Sequence, residues 1–407
     1  MLAISSPPST AGEADHFSGI IDFGFDSFTE KYSVVEEDTV DNTVEFRTRL
    51  SLDYLRGTLF GDFLLLEAQA NAGSNAMEST GRIKGAKSLH PARIAFEAWL
   101  TGKSFWKDTS YEYPNDYLRI NGRLSLSRNI GEYTGIRISE SIEQIDFDIR
   151  NEFDYDYFKS STSLSFDHFN ALSASLHGGL TAAYKSIPDS TEISYKSYSL
   201  NIDYRKEWSG RRSASITAVG ERRSYAHEPV RSPYWSFFSL VSVKPLVSAP
   251  WGVSLEHTLE GYAYDTSTDI YFDYIENKTA ILLRYIRGFR FDAGIGPMFA
   301  VLSSGDSRDD TYQEYGGKAS VEYMDAGNLW ISMTYELGRR SYDAYRDDPE
   351  SAIFSDFFFN RFSLFTNWKV RDNAGINGFV SHEPRNYQRA GDDTSTTLFS
   401  LGVSYYF

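Results

Sequence analysis

The sequence predicts an all-β protein, a transmembrane antiparallel up-and-down β-barrel of about 18–20 strands. Two observations support this prediction. Segments that alternate apolar and polar residues with period two fill nearly all of the 407 residues. Short turns rich in Gly, Asn, Asp and Pro alternate with longer polar connections. The barrel is predicted to comprise residues 17–407, after a short N-terminal segment, residues 1–16, interpreted as a truncated signal or leader.

The alternation is clearest from Thr43 to Tyr54, where every second residue is apolar apart from Thr48. This run is longer than the roughly 5–6 residues of an average strand and reaches the about 9–11 residues of a transmembrane strand. The same pattern recurs in Asp116–Ser127, Phe147–Tyr157, Ser197–Arg205, Trp251–Ala263 and Phe289–Val301. Weaker alternation over Tyr312–Tyr323 and Gly375–Ser381 leaves the strand count between about 18 and 20.

The connections between these segments are of two kinds. Short turns are predicted at residues 55–57, 208–210, 248–250, 287–288, 325–328 and 371–374. Long polar connections are predicted at residues 30–42, 71–90, 187–194, 304–315, 342–355 and 382–395. In a membrane barrel this asymmetry places the short turns in the periplasm and the long loops outside the cell.

Three tryptophans support a membrane position for the barrel. Trp208, Trp251 and Trp368 each lie beside a predicted short turn, in phase with the apolar face. Such positions are typical of an aromatic girdle at the membrane interface. No run approaches the roughly 18 apolar residues of a transmembrane helix. A closed barrel satisfies every backbone group in lipid, and it requires the first and last strands to pair.

The final segment carries a family feature. Phe399, Leu401, Val403, Tyr405 and Phe407 alternate with mostly small or polar residues. This ending resembles that of Gram-negative outer-membrane β-barrel proteins, the porin-like superfamily, whose last strand ends in an aromatic residue. The resemblance implies an integral location in the bacterial outer membrane. It also implies that these five residues form the signal recognised by the barrel-assembly machinery, and it identifies no subfamily.

By the phase of the alternation, many charged residues face the barrel interior. The positions predicted to line a pore are Arg47, Arg49, Arg119, Arg123, Arg137, Asp148, Arg150, Glu152, Asp203, Arg205, Glu256, Glu260, Arg290 and Asp292. Unpaired charges in a dry interior would be very costly, so this composition favours water. Barrels of about 16–18 strands are wide enough to hold an aqueous channel. The alternative is that the charges pair across neighbouring strands and brace the wall.

The arginines of the early strands suggest one further hypothesis. Three nearby strands are predicted to carry Arg47, Arg49, Arg119, Arg123 and Arg137, which would form a basic strip. Acidic residues opposite such a strip would create a transverse field across the lumen.

No cofactor, metal site or catalytic site is predicted. The sequence has no Cys, and it contains neither HExxH nor GxSxG. His227–Glu228 and His382–Glu383 are candidate acid–base pairs, but ordinary loop residues are the favoured interpretation. The acidic stretches 36–38 and 306–310 lack the spacing of a Ca²⁺ loop. A net charge of −16 argues against nucleic acid as a partner.

The sequence therefore predicts an outer-membrane channel for passive diffusion of small polar solutes or ions, without enzymatic activity. The alternative is a plugged or gated barrel dedicated to export, assembly or scaffolding, for a polysaccharide, a protein or an electron-transfer partner. The predicted partners are outer-membrane lipid and, during biogenesis, the barrel-assembly machinery. Homo-oligomers, a periplasmic partner and the identity of the substrate stay open.

Overall fold

The computed structural model describes residues 16–34, 37–58, 61–73, 76–106, 115–148, 155–170, 173–208, 212–226, 231–248, 250–268, 271–305, 309–325, 327–389 and 391–407. These ranges contain twenty β-strands. The strands are β1 His16–Val34, β2 Glu37–Thr58, β3 Gly61–Gly73, β4 Ala76–Leu89, β5 Ala92–Phe105, β6 Tyr117–Ile130, β7 Thr134–Phe147, β8 Tyr157–Asn170, β9 Ala174–Ser186, β10 Tyr195–Glu207, β11 Ser213–Tyr225, β12 Tyr234–Ser248, β13 Trp251–Tyr264, β14 Tyr274–Arg287, β15 Phe291–Ser304, β16 Tyr312–Asp325, β17 Leu329–Tyr342, β18 Phe357–Arg371, β19 Ala374–Tyr387 and β20 Thr394–Tyr406.

Helical structure is minor. A 3-10 helix, Thr191–Ile193, lies between β9 and β10, and a five-residue α-helix, α1 Asp343–Asp347, follows β17. Within the described ranges, no helix is long and apolar enough to cross a membrane.

The strands form one closed antiparallel barrel. Each strand pairs with the next along the chain, as β6 does with β7. The ring closes between β1 and β20, where Ile21 lies opposite Tyr405 and Phe23 lies opposite Val403. Closure leaves no sheet edge unpaired, as a lipid environment demands. The predicted fold class and the pairing of the first and last strands are confirmed, and the strand count is twenty.

The closing seam depends on a small residue. Gly19 and Phe407 exchange two backbone hydrogen bonds of 3.0 Å. A Cβ at Gly19 would overlap the ring of Phe407, so the ring lies directly over this glycine. The same arrangement recurs where Phe96 covers Gly85 and where Phe166 covers Gly178.

Two predicted long connections are wrong. Residues 30–42 lie largely within two strands, because β1 continues to Val34 and β2 begins at Glu37. Residues 71–90 contain the whole of β4, which alternates only weakly because Gly81 and Gly85 occupy outward positions. A glycine contributes no apolar side chain, so the period-two signal is lost where glycine takes an outward position.

One predicted strand does not agree with the described residues. The segment Phe147–Tyr157 was expected to be one strand, but β7 ends at Phe147 and β8 begins at Tyr157. The backbone N–H of Phe147 donates to a carboxylate oxygen of Asp156 at 2.8 Å and closes the base of this connection. Residues 149–154 lie outside the described residues, and the described residues on either side of them, Asp148 and Tyr155–Asp156, are not in a strand.

The two ends of the barrel differ in the lengths of the connections between strands. Short turns join the even strands to the following odd strands, and several of the connections at the other end are longer. Trp208, Trp251 and Trp368 lie at the short-turn end and expose about half of their surface there. Their predicted position beside short turns is confirmed.

Candidate functional site: the barrel lumen

Alternation divides every strand into a lumenal and an outer face. On β6 the outer residues Leu118, Ile120 and Leu124 are 42–57% exposed, although they are apolar. The residues between them, Arg119 and Arg123, face the lumen with their cross-strand neighbours. An exposed apolar belt around a polar interior is the inverse of a soluble protein, and it fits a barrel immersed in lipid.

Most of the predicted pore-lining residues lie on strands and face the lumen. These are Arg47, Arg49, Arg119, Arg123, Arg137, Asp203, Arg205, Glu256, Glu260 and Asp292. Arg47 forms an ion pair with Asp26, and Arg49 donates to the side-chain oxygen of Gln69 at 2.9 Å. The role of these residues in conduction stays a prediction.

Four of the predicted pore-lining positions do not lie on a described strand. Asp148 is exposed in the connection after β7, and Arg290 lies in the short turn before β15, 3.5 Å from Asp325. Arg150 and Glu152 lie outside the described residues. At Arg290 the alternation begins before β15 does, so it overestimates the length of the wall there.

The predicted basic strip does not form as one surface. In the closed ring, β2 and β6 are separated by β3, β4 and β5. Arg47 is paired with Asp26, and Arg119 lies 3.9 Å from Glu143. Arg123 and Arg137 are closer neighbours, on adjacent strands.

The intervening strands carry a charged group that the sequence analysis missed. Lys84 lies 3.0 Å from Glu67, and Arg82 lies 3.3 Å from the same carboxylate. Glu97 completes the group as the partner of Arg82. Two of these residues lie on β4, within a predicted loop, which is why the sequence analysis missed them. Correct assignment of β4 would have placed them on the lumenal face.

The largest charged network lies on the opposite side of the ring and joins strands that are not neighbours. Nζ of Lys318 on β16 lies 2.8 Å from Glu256 on β13. Nζ of Lys278 on β14 lies 2.9 Å from Glu336 on β17. Each of these pairs bridges strands three positions apart, so the wall must bend sharply between them.

Glycines make this bend possible. A Cβ at Gly296 on β15 would overlap the carbonyl oxygen of Ile281, and a Cβ at Gly316 on β16 would overlap that of Leu337. Pro297 follows Gly296 and has no N–H, and here the pairing of β14 with β15 is interrupted. We call this bend the glycine corner.

Glu314 is the most buried charge of this region and is 1% exposed. It accepts hydrogen bonds from Arg340 at 2.7 Å and from Arg361 at 3.2 Å. The guanidinium of Arg340 also lies over the ring of Tyr312, 3.7 Å from its centroid. Two cations around one carboxylate satisfy its lone pairs and stabilise the charge away from water.

The loop after α1 packs on the inner surface at the long-loop end. Phe354 stacks on the lumen-facing ring of Tyr342 with a centroid distance of 5.4 Å. Arg389 donates to the carbonyl oxygens of Pro349 and Ala352 at 3.0 and 2.8 Å and fixes the loop to its neighbour. This loop therefore covers part of the interior near β17 and β18.

At the long-loop end, Arg222 on β11 forms a charge pair with Asp265, which lies just beyond the end of β13. Arg222 donates to Asp265 at 2.7 Å, and this hydrogen bond lowers the pKa of the Asp265 carboxyl. His382 lies on β19 rather than in the predicted loop and faces the outer surface, with its Nδ1 2.8 Å from the hydroxyl of Thr397. His227 lies outside the described residues. Among the described residues, no three His, Asp or Glu side chains are grouped as a metal site.

Comparisons with known proteins agree with the fold. No protein-family model and no curated protein sequence matches the chain. The siderophore receptor PirA from Pseudomonas aeruginosa aligns with a TM-score of 0.53 and 10% identity, covering 98% of this chain and 81% of that chain. The copper transporter OprC aligns with a TM-score of 0.56 and 11% identity over the same shares. The alcaligin outer-membrane receptor FauA from Bordetella pertussis aligns with a TM-score of 0.55 and 9% identity, covering 95% and 76%.

At these identities the likeness shows the fold alone. The chain has the fold of Gram-negative outer-membrane β-barrels, as the resemblance of its final segment implied. The closed barrel and its apolar exterior agree with the predicted location in the outer membrane.

Proposed function

We propose that the protein forms a water-filled channel in the bacterial outer membrane for passive diffusion of small polar solutes or ions. The observation that carries the proposal is the charged lumenal face, which runs around the ring from Arg49 on β2 to Arg361 on β18. Where these charges are exposed, as at Arg47, Arg123 and Arg137, they require water or ions as neighbours, whereas around Glu314 they pair with one another. Solved proteins with this fold include a copper transporter and siderophore receptors, which supports transport as the class of function.

The size of the ring supports an aqueous lumen. Twenty strands spaced about 4.8 Å apart and tilted by about 40° enclose a circle roughly 40 Å across. Side chains and the glycine corner reduce this width. A groove of about 690 Å³ nevertheless lies along the lumenal face where β18 to β20 meet β1 to β5, lined by Arg47, Arg49 and Gln69 among others.

Conductance in a planar bilayer tests the proposal. The refolded chain is added to one side, with KCl at different concentrations on the two sides. We expect steady steps with a linear current–voltage relation, and a reversal potential that reports the dominant charge of the lumen. The matched variants are Arg49→Glu, which reverses a lumenal charge, and Arg128→Glu, which reverses a charge on the outer face of β6. Only the first is expected to shift the reversal potential toward cation selectivity.

Insertion without conductance would overturn the diffusion channel. It would favour the alternative, a plugged or gated export, assembly or scaffolding barrel, in which the loop containing Phe354 or a partner fills the lumen. We further propose that the protein is not an enzyme. The position of His382 on the outer face, beside Thr397 rather than in the lumen, supports this view.

We also propose that Phe399, Leu401, Val403, Tyr405 and Phe407 are recognised by the barrel-assembly machinery. The pairing of this segment with β1 supports the proposal, because a strand that must close the ring last is a suitable recognition element. Crosslinking of a photoreactive residue at position 403 to the assembly machinery during biogenesis would test it, with position 404 as the lumen-facing control.

A further inference from the structure

We propose that Arg93, Arg123 and Arg137 form a binding site for small, multiply charged oxyanions, carboxylates or phosphates, at the short-turn end of the lumen. The inference rests on the proposed function in one respect, since the anion must reach the site through the lumen. It names a substrate class for the channel and adds Arg93 to the residues predicted to line the pore.

The register places the three arginines together. Arg93 on β5 lies opposite Ser127 on β6, and Ser127 in turn lies opposite Arg137 on β7. Arg123 is four residues along β6 from Ser127, on the same face. All three side chains are exposed to the lumen and line one cavity of about 260 Å³.

The acids around this cavity do not offset its three arginines one for one. Asp62, at the start of β3, interacts electrostatically with Arg93, but it is exposed and accepts a hydrogen bond from Ser88 at 2.6 Å. Glu97 lies opposite Arg123 in the register, but its carboxylate is the partner of Arg82 and lies 3.9 Å from Lys84. Glu67 is held by the same two cations. These two acids and two bases pair with one another, so three arginines and one exposed acid, Asp62, remain around the cavity.

The next acid around the ring is also engaged. Asp167 on β8 lies 2.6 Å from His177, on the side away from the arginines. Within the described part of the chain, no ion pair includes Arg93, Arg123 or Arg137. Three guanidinium groups on adjacent strands repel one another, so the arrangement is stabilised when an anion binds between them.

The remaining contacts position the arginines and leave donors free. The guanidinium of Arg93 lies 5.8 Å from the ring centroid of Phe63, and one nitrogen of Arg123 donates to the hydroxyl of Ser139 at 3.2 Å. Each guanidinium carries five N–H donors in a planar fork that matches the oxygens of a carboxylate or phosphate. The hydroxyls of Ser125 and Ser127 line the same cavity.

Binding is measured on the full chain refolded in detergent, by isothermal titration with inorganic phosphate and, separately, with citrate. We expect saturable binding of at least one of these anions. Arg93→Gln, Arg123→Gln and Arg137→Gln are each expected to weaken it about tenfold or more, because each removes charge-assisted hydrogen bonds. Arg128→Gln is the control, because it removes the same charge from the outer face of β6 at the same end. Heat-dependent mobility on gels confirms that each variant is folded.

The outcomes separate this inference from the channel itself. Absence of saturable binding to the folded chain, or equal weakening by Arg128→Gln, would overturn the anion site and leave the channel proposal intact. Binding that depends on the three arginines in a protein that does not conduct would support the site and overturn diffusion. A stronger effect for phosphate than for citrate, or the reverse, identifies which of the two anion classes the site accepts.

Discussion

At the scale of single residues, the barrel interior tolerates charge because each buried charge has several partners. Glu314 is almost fully buried and still carries two guanidinium neighbours, Arg340 and Arg361. Burial would make such a carboxylate unfavourable without these hydrogen bonds. Glu322, on the same strand and the same face, is exposed to the lumen instead.

Glu314→Gln is therefore expected to destabilise the barrel by about 3–5 kcal/mol, because it leaves two buried cations without their shared acid. The free energy of unfolding is measured by urea titration in lipid vesicles, followed by tryptophan fluorescence. Glu322→Gln is the matched control and should change this free energy by less than about 0.5 kcal/mol. Equal losses in the two variants would contradict the role assigned to Glu314.

A second residue is unusual because it is an acid on the outer face. Glu140 lies in the middle of β7 opposite Leu124, which is 57% exposed to lipid. Its carboxylate accepts hydrogen bonds from Ser160 at 2.7 Å and from Thr162. These two hydroxyls lower the free-energy cost of placing a carboxylate in the apolar belt, but part of that cost remains.

Glu140→Gln is expected to increase stability in lipid by about 1–2 kcal/mol, because a neutral amide keeps an acceptor for the hydroxyls and carries no charge into hydrocarbon. The same urea titration measures the change, and Gln144→Glu, near the long-loop end of the same face, provides the reverse substitution. A loss of stability in Glu140→Gln would show that the charge is needed on this surface.

At the scale of elements, the glycine corner decides the shape of the lumen. It brings β14 near β17 and so allows Lys278 to reach Glu336, which a uniformly curved wall of twenty strands would keep apart. The bend requires positions without a Cβ, since a side chain at Gly296 would occupy the space of a neighbouring backbone carbonyl.

Gly296→Ala is expected to destabilise the barrel by at least about 3 kcal/mol or to prevent folding, because the backbone that it meets cannot move without breaking strand pairing. Gly317→Ala is the matched control, since its Cβ would lie 3.7 Å from the nearest carbonyl oxygen, an ordinary contact. Yield of heat-resistant folded protein on gels is the measurement. Equal yields for the two variants would exclude a strict requirement for glycine at the corner.

The strand pair that closes the ring, β1 with β20, depends on the contact between Phe407 and Gly19. Phe407→Ala is expected to lower the temperature at which the barrel opens on gels, because it exposes Gly19 and removes apolar area at the closing strand pair. Tyr406→Ala, on the lumenal side of the same strand, should have the smaller effect. The opposite order would contradict the role of the ring over Gly19.

At the scale of the whole molecule, the barrel is predicted to place its short turns in the periplasm and its long loops outside the cell. The absence of native Cys makes this orientation easy to test with single introduced cysteines. Glu350, in the loop after α1, and Asp372, in the turn between β18 and β19, are both exposed.

In intact cells, a membrane-impermeant maleimide is expected to label Glu350→Cys and not Asp372→Cys, whereas both are labelled after the outer membrane is permeabilised. Fluorescence of the labelled band on a denaturing gel is the readout. Labelling of Asp372→Cys alone in intact cells would reverse the assigned orientation.

The sequence determined the fold class because the alternation of lipid-facing and lumen-facing residues is a local property. In Thr43 to Tyr54, each residue's side follows from its neighbours, so the pattern could be read without knowing what the strand pairs with. The same reasoning placed Glu256 and Asp292 on the lumenal face and predicted that β20 pairs with β1. It failed at β4, where Gly81 and Gly85 remove the apolar half of the signal.

Only the tertiary structure decided which lumenal charges meet. The pairing of Lys318 with Glu256 joins strands three positions apart and depends on the bend at Gly296 and Gly316, which no local pattern reveals. Likewise, Arg123 lies opposite Glu97, yet that carboxylate pairs with Arg82 and leaves the arginine free for another partner. The attraction between two charges depends on the distance between them. In the lumen that distance depends on how the whole ring curves, so the partners of the lumenal charges are decided only when the ring closes.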